Sequence, residues 1–443
     1  MHLGFKIATV AGLTLVLLLP LGMIRGTVQD RQRYRMEAVE TVARSSAGEQ
    51  VLAGPVLFVP YADRIVARKT DADGILRQVV QERTGTWVFF PEILDVNGTM
   101  RSLPRRLGLH EVRVYELDAV LRASFRVAIP EDEDPSSPRT IGAPRLGVAI
   151  RDVRGLVGLP VLEVDGSPRS LRQGFGEGGG GGLHALLDAP GPGTTLAFDV
   201  EFRATLQGTE SASIVPLAAH TLVSLDSDWP HPRFHGQFLP RTREIGEQGF
   251  RATWEVSSLA SNAQSTFRNT LAEPAAADQA ERISVSLVDP VDVYTQVDRA
   301  TKYGVLFVLL TFVAFFMFEF LKALRIHPIQ YGLVGLAIAL FFLLLLALSE
   351  HIAFGAAYLA AGAACVGLIG YYLKHVLGGW ARGAGFAGLL GTLYAALYGL
   401  LISEDNAMVL GALLLFLVLA SIMVLTRKVD WYRAAPSTEG SHQ

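Results

Sequence analysis

Six stretches of about twenty residues, nearly free of charge, constrain this chain more than any other feature. They fall at 7–24, 303–321, 329–348, 352–373, 384–402 and 407–425, and five of them are consecutive. A helix rises 1.5 Å per residue, so each run is long enough to cross a hydrocarbon core of about 30 Å. Leu, Phe, Ala and Gly recur in them without a polar stripe, which leaves lipid or another helix as the only suitable neighbour. A wholly soluble fold is excluded. Gly332, Gly335, Gly362, Gly367, Gly370, Gly388 and Gly391 offer small surfaces for close helix packing.

Charge divides the chain the same way. Residues 26–301 carry 29 Lys and Arg against 36 Asp and Glu, whereas the remainder carries 10 against 6. The expected division is 1–25 for the N-terminal cytoplasmic end and first span, 26–301 for an exported domain, 302–427 for five further spans, and 428–443 for a tail. Short loops set the orientation, because an excess of Lys and Arg marks the cytoplasmic side. Lys322 and Arg325, then Lys374 and Arg382, then Arg427, Lys428 and Arg433 occupy one set of loops; Glu350, Glu404 and Asp405 occupy the other. This pattern predicts cytoplasmic termini and a periplasmic or extracellular 26–301. Arg25, Arg31, Arg33 and Arg35 oppose it locally, since only Lys6 precedes the first span. Three concordant short loops outweigh that one flank, because long domains translocate with little regard to charge. Pro20-Leu-Gly-Met-Ile-Arg25 is a poor cleavage site, so the first span is expected to stay as an uncleaved anchor.

Within the exported region a polar helix continuing from the membrane is expected over Asp30–Ala47, followed by period-two segments. Thr86–Phe90, Glu111–Tyr115, Ala119–Ile129, Thr195–Leu206, His220–Leu225, Gly249–Val256 and Arg282–Val288 alternate in polarity and are rich in Val, Phe, Tyr, Trp and Thr, as half-buried strands require. Asn97-Gly98 and Asp165-Gly166 have hairpin-turn chemistry. Helices of crossover length are lacking between these segments. The expected fold is therefore a large antiparallel β-rich domain, of sandwich type, attached to six transmembrane helices, one N-terminal and five C-terminal. Glu131–Pro138 and the glycine run Gly174–Gly182 read as loops; a phosphate loop would need a Lys-Ser/Thr pair after the glycines, and none follows.

Three constellations bear on chemistry. Asp226-Ser-Asp-Trp-Pro-His-Pro-Arg-Phe-His235 contains two prolines that forbid helix, so Trp229, His231, Phe234 and His235 sit on a stiff connection. They could anchor a partner, or plug one end of the sandwich. Helical i, i+4 geometry is unavailable to the two histidines, and other ligands are unspecified, which argues against metal. Glu319 in Phe315-Phe-Met-Phe-Glu-Phe-Leu-Lys322 is an ionisable group in a span; Lys322 at i+3 can pair with it, and a proton or substrate path is the other reading. No Gly-x-Ser-x-Gly or His-Glu-x-x-His motif occurs, and the single cysteine, Cys365, permits neither an intrachain disulfide nor a thiolate zinc site. No enzyme and no cofactor are expected. A basic tract is also missing, so the partners expected are the lipid bilayer and an unidentified envelope component or protein, with no nucleic acid.

Ordered motifs then run along almost the whole chain: Leu17-Leu-Leu-Pro-Leu-Gly-Met-Ile-Arg25, Asp30-Arg-Gln-Arg-Tyr-Arg35, Gly54-Pro-Val-Leu-Phe-Val-Pro-Tyr61, Asp152-Val-Arg-Gly-Leu156, Gly182-Leu-His-Ala185 and Trp229-Pro-His-Pro-Arg-Phe234. They continue with Gly249-Phe-Arg-Ala-Thr-Trp254, Thr301-Lys-Tyr-Gly304, His327-Pro-Ile-Gln-Tyr331, Leu348-Ser-Glu-His351 and Thr426-Arg-Lys-Val-Asp-Trp431. In these the chain resembles the CreD family of bacterial inner-membrane proteins. The resemblance implies a Gram-negative inner membrane and a role in envelope integrity, associated in the family with stress, β-lactam and colicin responses. It transfers no catalytic residues. The family pattern has a tyrosine where this chain has Phe342, and the Gly176–Gly182 run is longer than the family's. The function expected is a non-enzymatic envelope protein acting through its periplasmic domain; the alternative is a transporter or lipid-handling protein with that domain as receiver.

Overall fold

Periodicity shifts from helical to two and back along the chain, and the computed structural model follows it. The structure describes residues 3–70, 76–108, 110–132, 139–175, 180–272, 281–287, 293–321, 326–376, 379–403 and 407–427. Helices are α1 (Leu3–Ser45), α2 (Ala263–Ala272), α3 (Val293–Leu321), α4 (Pro328–Ser349), α5 (Phe354–Val376), α6 (Trp380–Ile402) and α7 (Ala407–Thr426). The first strands are β1 (Gln50–Thr70), β2 (Leu76–Phe89), β3 (Ile93–Leu107), β4 (His110–Ala128), β5 (Thr140–Ile141), β6 (Arg145–Ile150), β7 (Leu156–Val164), β8 (Ser167–Arg169) and β9 (Arg172–Phe175). The others are β10 (Gly180–Leu186), β11 (Thr195–Thr209), β12 (Ser211–Val215), β13 (His220–Ser227), β14 (Arg233–Gly236), β15 (Thr242–Gly246), β16 (Gly249–Ser257) and β17 (Ile283–Ser286). The chain divides into two compact units, Met1–Arg35 with Val291–Gln443, and Met36–Pro290. These limits lie about ten residues from the compositional ones, because α1 and α3 continue as helices beyond their apolar cores.

Among the described residues five helices are long and apolar enough to cross a membrane, at Ala8–Ser45, Val293–Glu319, Pro328–Ser349, Phe354–Val376 and Trp380–Ile402, and a shorter apolar helix lies at Met408–Val424. The helical unit is built from these. Its interior is an aromatic and aliphatic cluster that includes Leu17, Leu21, Phe312, Tyr331, Phe341, Phe342, Tyr358 and Tyr394. Helix contact depends on missing side chains at some glycines and not at others. A Cβ on Gly335 would stand 2.2 Å from Leu17 Cδ1, and one on Gly304 would stand 3.1 Å from the Phe342 ring and 3.3 Å from Leu21 Cδ2. Gly332, Gly362 and Gly370 also face a neighbour, whereas Gly367, Gly388 and Gly391 face open space, so a packing role expected for all seven holds for only four.

The β unit is two stacked sheets. One runs β14-β17-β12-β1-β6-β10-β9, with β2 and β5 also on β1; the other runs β15-β16-β13-β3-β4-β11-β7-β8. Antiparallel pairing dominates, as expected, with β1–β12 and β3–β13 as parallel exceptions. Strand alternation supplies the core: Leu94, Val96, Leu121, Phe125, Phe202, Leu206, Val223 and Trp254 from one sheet join Leu57, Val59, Val148, Ile214 and Val285 from the other. Each such side chain contributes about 1.5–3 kcal/mol by leaving water. The outward face of the eight-stranded sheet is laced by the ion pairs Arg101–Asp118 at 2.6 Å, Arg122–Glu201 at 2.9 Å and Arg203–Glu163 at 3.5 Å. Outside the nine-stranded sheet, α2 covers a second apolar layer of Val56, Phe58, Phe175, Leu217 and Phe267.

Local expectations differ in instructive places. The lead-in continues from the first apolar stretch as expected, since α1 is one helix to Ser45. Glu111–Tyr115 and Ala119–Ile129 merge into β4. Asn97-Gly98 is no turn: it lies inside β3, where a Cβ on Gly98 would stand 2.5 Å from Leu225 Cδ2. Asp165-Gly166 does form the β7–β8 hairpin turn, with φ of 50° and 73°, the pair of positive values that such a turn demands. The glycine run is only partly loop, because Gly174 belongs to β9 and Gly180–Gly182 to β10; residues 176–179 lie outside the described residues.

Candidate functional site

Polar groups inside the helical unit concentrate at the two ends of α4. At its start Pro328 occupies the first turn, and His327 caps the helix through Nδ1, which accepts from Ile329 N at 3.3 Å; Gln330 reaches back to accept from His327 N at 3.1 Å. Beside this cap lies Glu319 of α3, buried, whose carboxylate accepts from Ile326 N at 3.0 Å and from the Tyr331 hydroxyl at 2.8 Å. An acidic group is favoured there, because free amides and the positive end of the helix dipole converge on it. The Tyr331 ring is packed by Phe312 and Phe315, with centroids at 5.7 and 4.6 Å. The expected partner Lys322 lies outside the described residues. Tyr331 was missed as a partner because it stands twelve residues away on the next helix; its place in the His327–Tyr331 motif was the available signal.

At the other end Glu350 caps α4 and is 9% exposed. It takes Arg31 of α1 at 3.2 Å and the Tyr294 hydroxyl of α3 at 3.5 Å. One turn further along α3, Asp298 lies 3.5 Å from Arg25 and 2.6 Å from Lys302. A tyrosine–glutamate hydrogen bond therefore ties α3 to α4 at both ends. Three of the four arginines that opposed the loop charges are met by acids: Arg25 by Asp298, Arg31 by Glu350, and Arg33 by Asp30 at 3.1 Å. Midway, the Tyr358 hydroxyl donates to the Tyr394 carbonyl at 2.8 Å, and the Tyr394 hydroxyl donates to Cys365 Sγ at 3.0 Å.

The Trp229 segment has a different character in the two halves of its side chains. Trp229 is buried in the sandwich core; its Nε1 donates to the His231 carbonyl at 2.8 Å, and the Arg113 guanidinium lies 4.4 Å from the ring centroid. Phe234 packs edge-on against Phe250 and Trp254 at 5.5 and 5.7 Å while its strand pairs with β17. Of the four residues singled out, only His231 and His235 are exposed, so the aromatic rings close the sandwich and the imidazoles face outward. His235 Nδ1 lies 3.3 Å from the Arg233 carbonyl. Among the described residues no group of three or more His, Cys, Asp or Glu could hold a metal ion.

A polar joint occupies the Asp152–Leu156 motif. Buried Gln50 donates from Nε2 to the carbonyls of Asp152 and Gln207, both at 2.9 Å, and the Arg154 guanidinium donates to Asp152 and to the Arg44 carbonyl at the end of α1. Gly155 is required there, since a Cβ would stand 2.2 Å from the Gln207 carbonyl oxygen. The hydrogen bond from Arg154 holds the Asp152 carboxyl below the usual range, and Arg139 does the same for Asp63. Arg139 also lies over the stacked rings of Tyr61 and Trp87, 5.0 Å from each.

A family model described as inner membrane protein CreD matches residues 2–432. Inner membrane protein CreD of Escherichia coli (strain K12) is 36% identical over 432 residues, covering 97% of this chain and 94% of that protein. Among solved structures, a mutant M1 zinc metallopeptidase from Deinococcus radiodurans aligns with 44% of this chain and 42% of its own, at 11% identity and a TM-score of 0.22. The unmutated peptidase aligns with 44% of this chain and 41% of its own, at 10% identity and a TM-score of 0.20. Likeness at that level carries no argument about fold or activity.

Proposed function

Because the chain belongs to the CreD family of inner membrane proteins, we propose that it supports envelope integrity and the response to envelope stress, without catalysis, by binding or sensing an envelope component through its β unit. In this reading residues 26–301 are periplasmic, α1 and α3–α7 all span the membrane, and both termini are cytoplasmic. The observation that carries it is how these polar groups are used. Gln50, Asp152 and Arg154 join the end of α1 to strand ends, while Glu319, Tyr331 and Glu350 tie helix to helix. A hydrolase needs such groups convergent and free to meet substrate. The topology has its own support in the three concordant short loops, where the Lys and Arg excess lies on one side.

Two measurements test this reading. A Gram-negative strain lacking its own CreD-family protein is challenged with β-lactam and with colicin, with and without this chain. Restored tolerance is expected, and a membrane-inserted chain that restores nothing overturns the envelope role. For orientation, Leu259→Cys, at a position 98% exposed, should react with a membrane-impermeant maleimide in spheroplasts. Arg427→Cys should react only after permeabilisation; the reverse pattern overturns the topology.

A further inference from the structure

Two kinds of contact seat α1 in the helical unit, and they respond to different things. Within the apolar stretch, Leu13, Leu17 and Leu21 meet the open positions at Gly332, Gly335 and Gly304. Such packing is indifferent to salt. Towards the other end of this part of α1, Val28 is fully buried in the same cluster as Tyr294 and Val297, and it is flanked by the pairs Arg25–Asp298 and Arg31–Glu350. These pairs are asymmetric in exposure: the arginines are 48% and 37% exposed, the carboxylates 16% and 9%. The carboxylates are thus held in place by the fold, Glu350 as the cap of α4 and Asp298 by Lys302 on the next turn, while the arginines reach them from the solvent side. Ion pairs of this exposure weaken as salt screens them, and the arginines gain water when released.

We propose that Arg25–Asp298 and Arg31–Glu350 form a salt-responsive clasp, which holds the Val28 segment of α1 against α3 and α4 at low ionic strength and releases it as ionic strength rises. The glycine-seated part of α1 stays docked throughout, so release is a local lifting about that fixed part. Glu350 is the more constrained partner, because its other contact, the Tyr294 hydroxyl, is neutral and persists when Arg31 leaves. In the topology proposed above, the solution that sets the clasp is the periplasmic one, but the clasp itself rests only on contacts within the helical unit.

The test uses the full chain in nanodiscs with Val28→Cys, followed by the rate of modification with a water-soluble maleimide. Cys365 is buried and serves as an internal check, since it should stay unmodified while the helices remain folded. Raising sodium chloride from about 20 mM to about 0.5 M should speed modification by about two- to fivefold, and sucrose of equal osmolality should not. Arg31→Gln should give a faster rate at low salt that rises less than the parent's, because Arg25–Asp298 remains. The exchange of Arg31→Glu with Glu350→Arg should restore a slow, salt-dependent rate. A parent rate flat in salt, an equal response to sucrose, or an Arg31→Gln rate as slow as the parent's would each overturn the proposal. Should Arg31→Gln also expose Cys365, the parent's salt and sucrose series decide alone.

Discussion

Replacing Trp229 by alanine should lower the thermal midpoint of the β unit by about 8–16 °C. The ring is buried among core residues contributed by both sheets, and truncating a buried Trp costs about 3–5 kcal/mol once the cavity is counted. Loss of the Nε1 hydrogen bond to His231 adds little beyond that range, because His231 is exposed and its carbonyl can take water instead. The cation–π contact with Arg113, worth about 0.5–1 kcal/mol at a partly exposed site, disappears with the ring. Taking about 4 kcal/mol, and about 2–4 °C per kcal/mol for a unit of this size, gives the stated shift. Trp229→Phe keeps most of the buried area and should lose about a third as much. The assay is unfolding of the full chain in nanodiscs, read by near-UV circular dichroism and by protease resistance of the β unit. A Trp229→Ala midpoint within about 2 °C of the parent, against the expected shift, would refute the reasoning, since a ring removable at no cost to folding is not part of the core.

Gly335→Ala should destabilise the helical unit by about 1–3 kcal/mol through overlap with Leu17, whereas Gly391→Ala, facing open space, should be neutral in the same detergent-denaturation series. Glu319→Leu should cost about 1–3 kcal/mol for each buried donor left unpaired, Ile326 N and the Tyr331 hydroxyl, while Glu319→Gln should recover most of that loss. Asp63, Asp118 and Asp152 have folded-state pKa values depressed by hydrogen bonds from Arg139, Thr205 and Arg154. Their contribution is present above the ordinary carboxylate range near about 4 and is lost as pH falls through the lower folded values. Acid titration of the β unit should therefore show stability falling below that range, with a shallower fall in Asp152→Asn; an unchanged slope would remove Asp152 from the account.

The amino-acid sequence by itself determined where the chain is apolar enough to cross a membrane, where its periodicity changes to two, and which side of each strand is buried. These properties are local. A run of Leu and Phe without charge has lipid or another helix as its only neighbour, and alternation along β4 or β16 is written by solvent on one face and core on the other. Turn chemistry was legible only in part: Asp165-Gly166 turns, while Asn97-Gly98 continues a strand because Leu225 occupies the space beside Gly98. Tertiary structure alone decided the partners. The parallel pairing of β3 with β13 joins segments more than a hundred residues apart, and no local pattern distinguishes it from antiparallel pairing. Glu319 meets Tyr331 on the next helix, and Arg31 meets Glu350 across most of the chain's length. Trp229 looks the same in sequence whether it anchors a partner or fills a core. The physical reason is that periodicity records which face of an element avoids water, whereas the identity of the neighbour on that face is fixed only when all elements pack together.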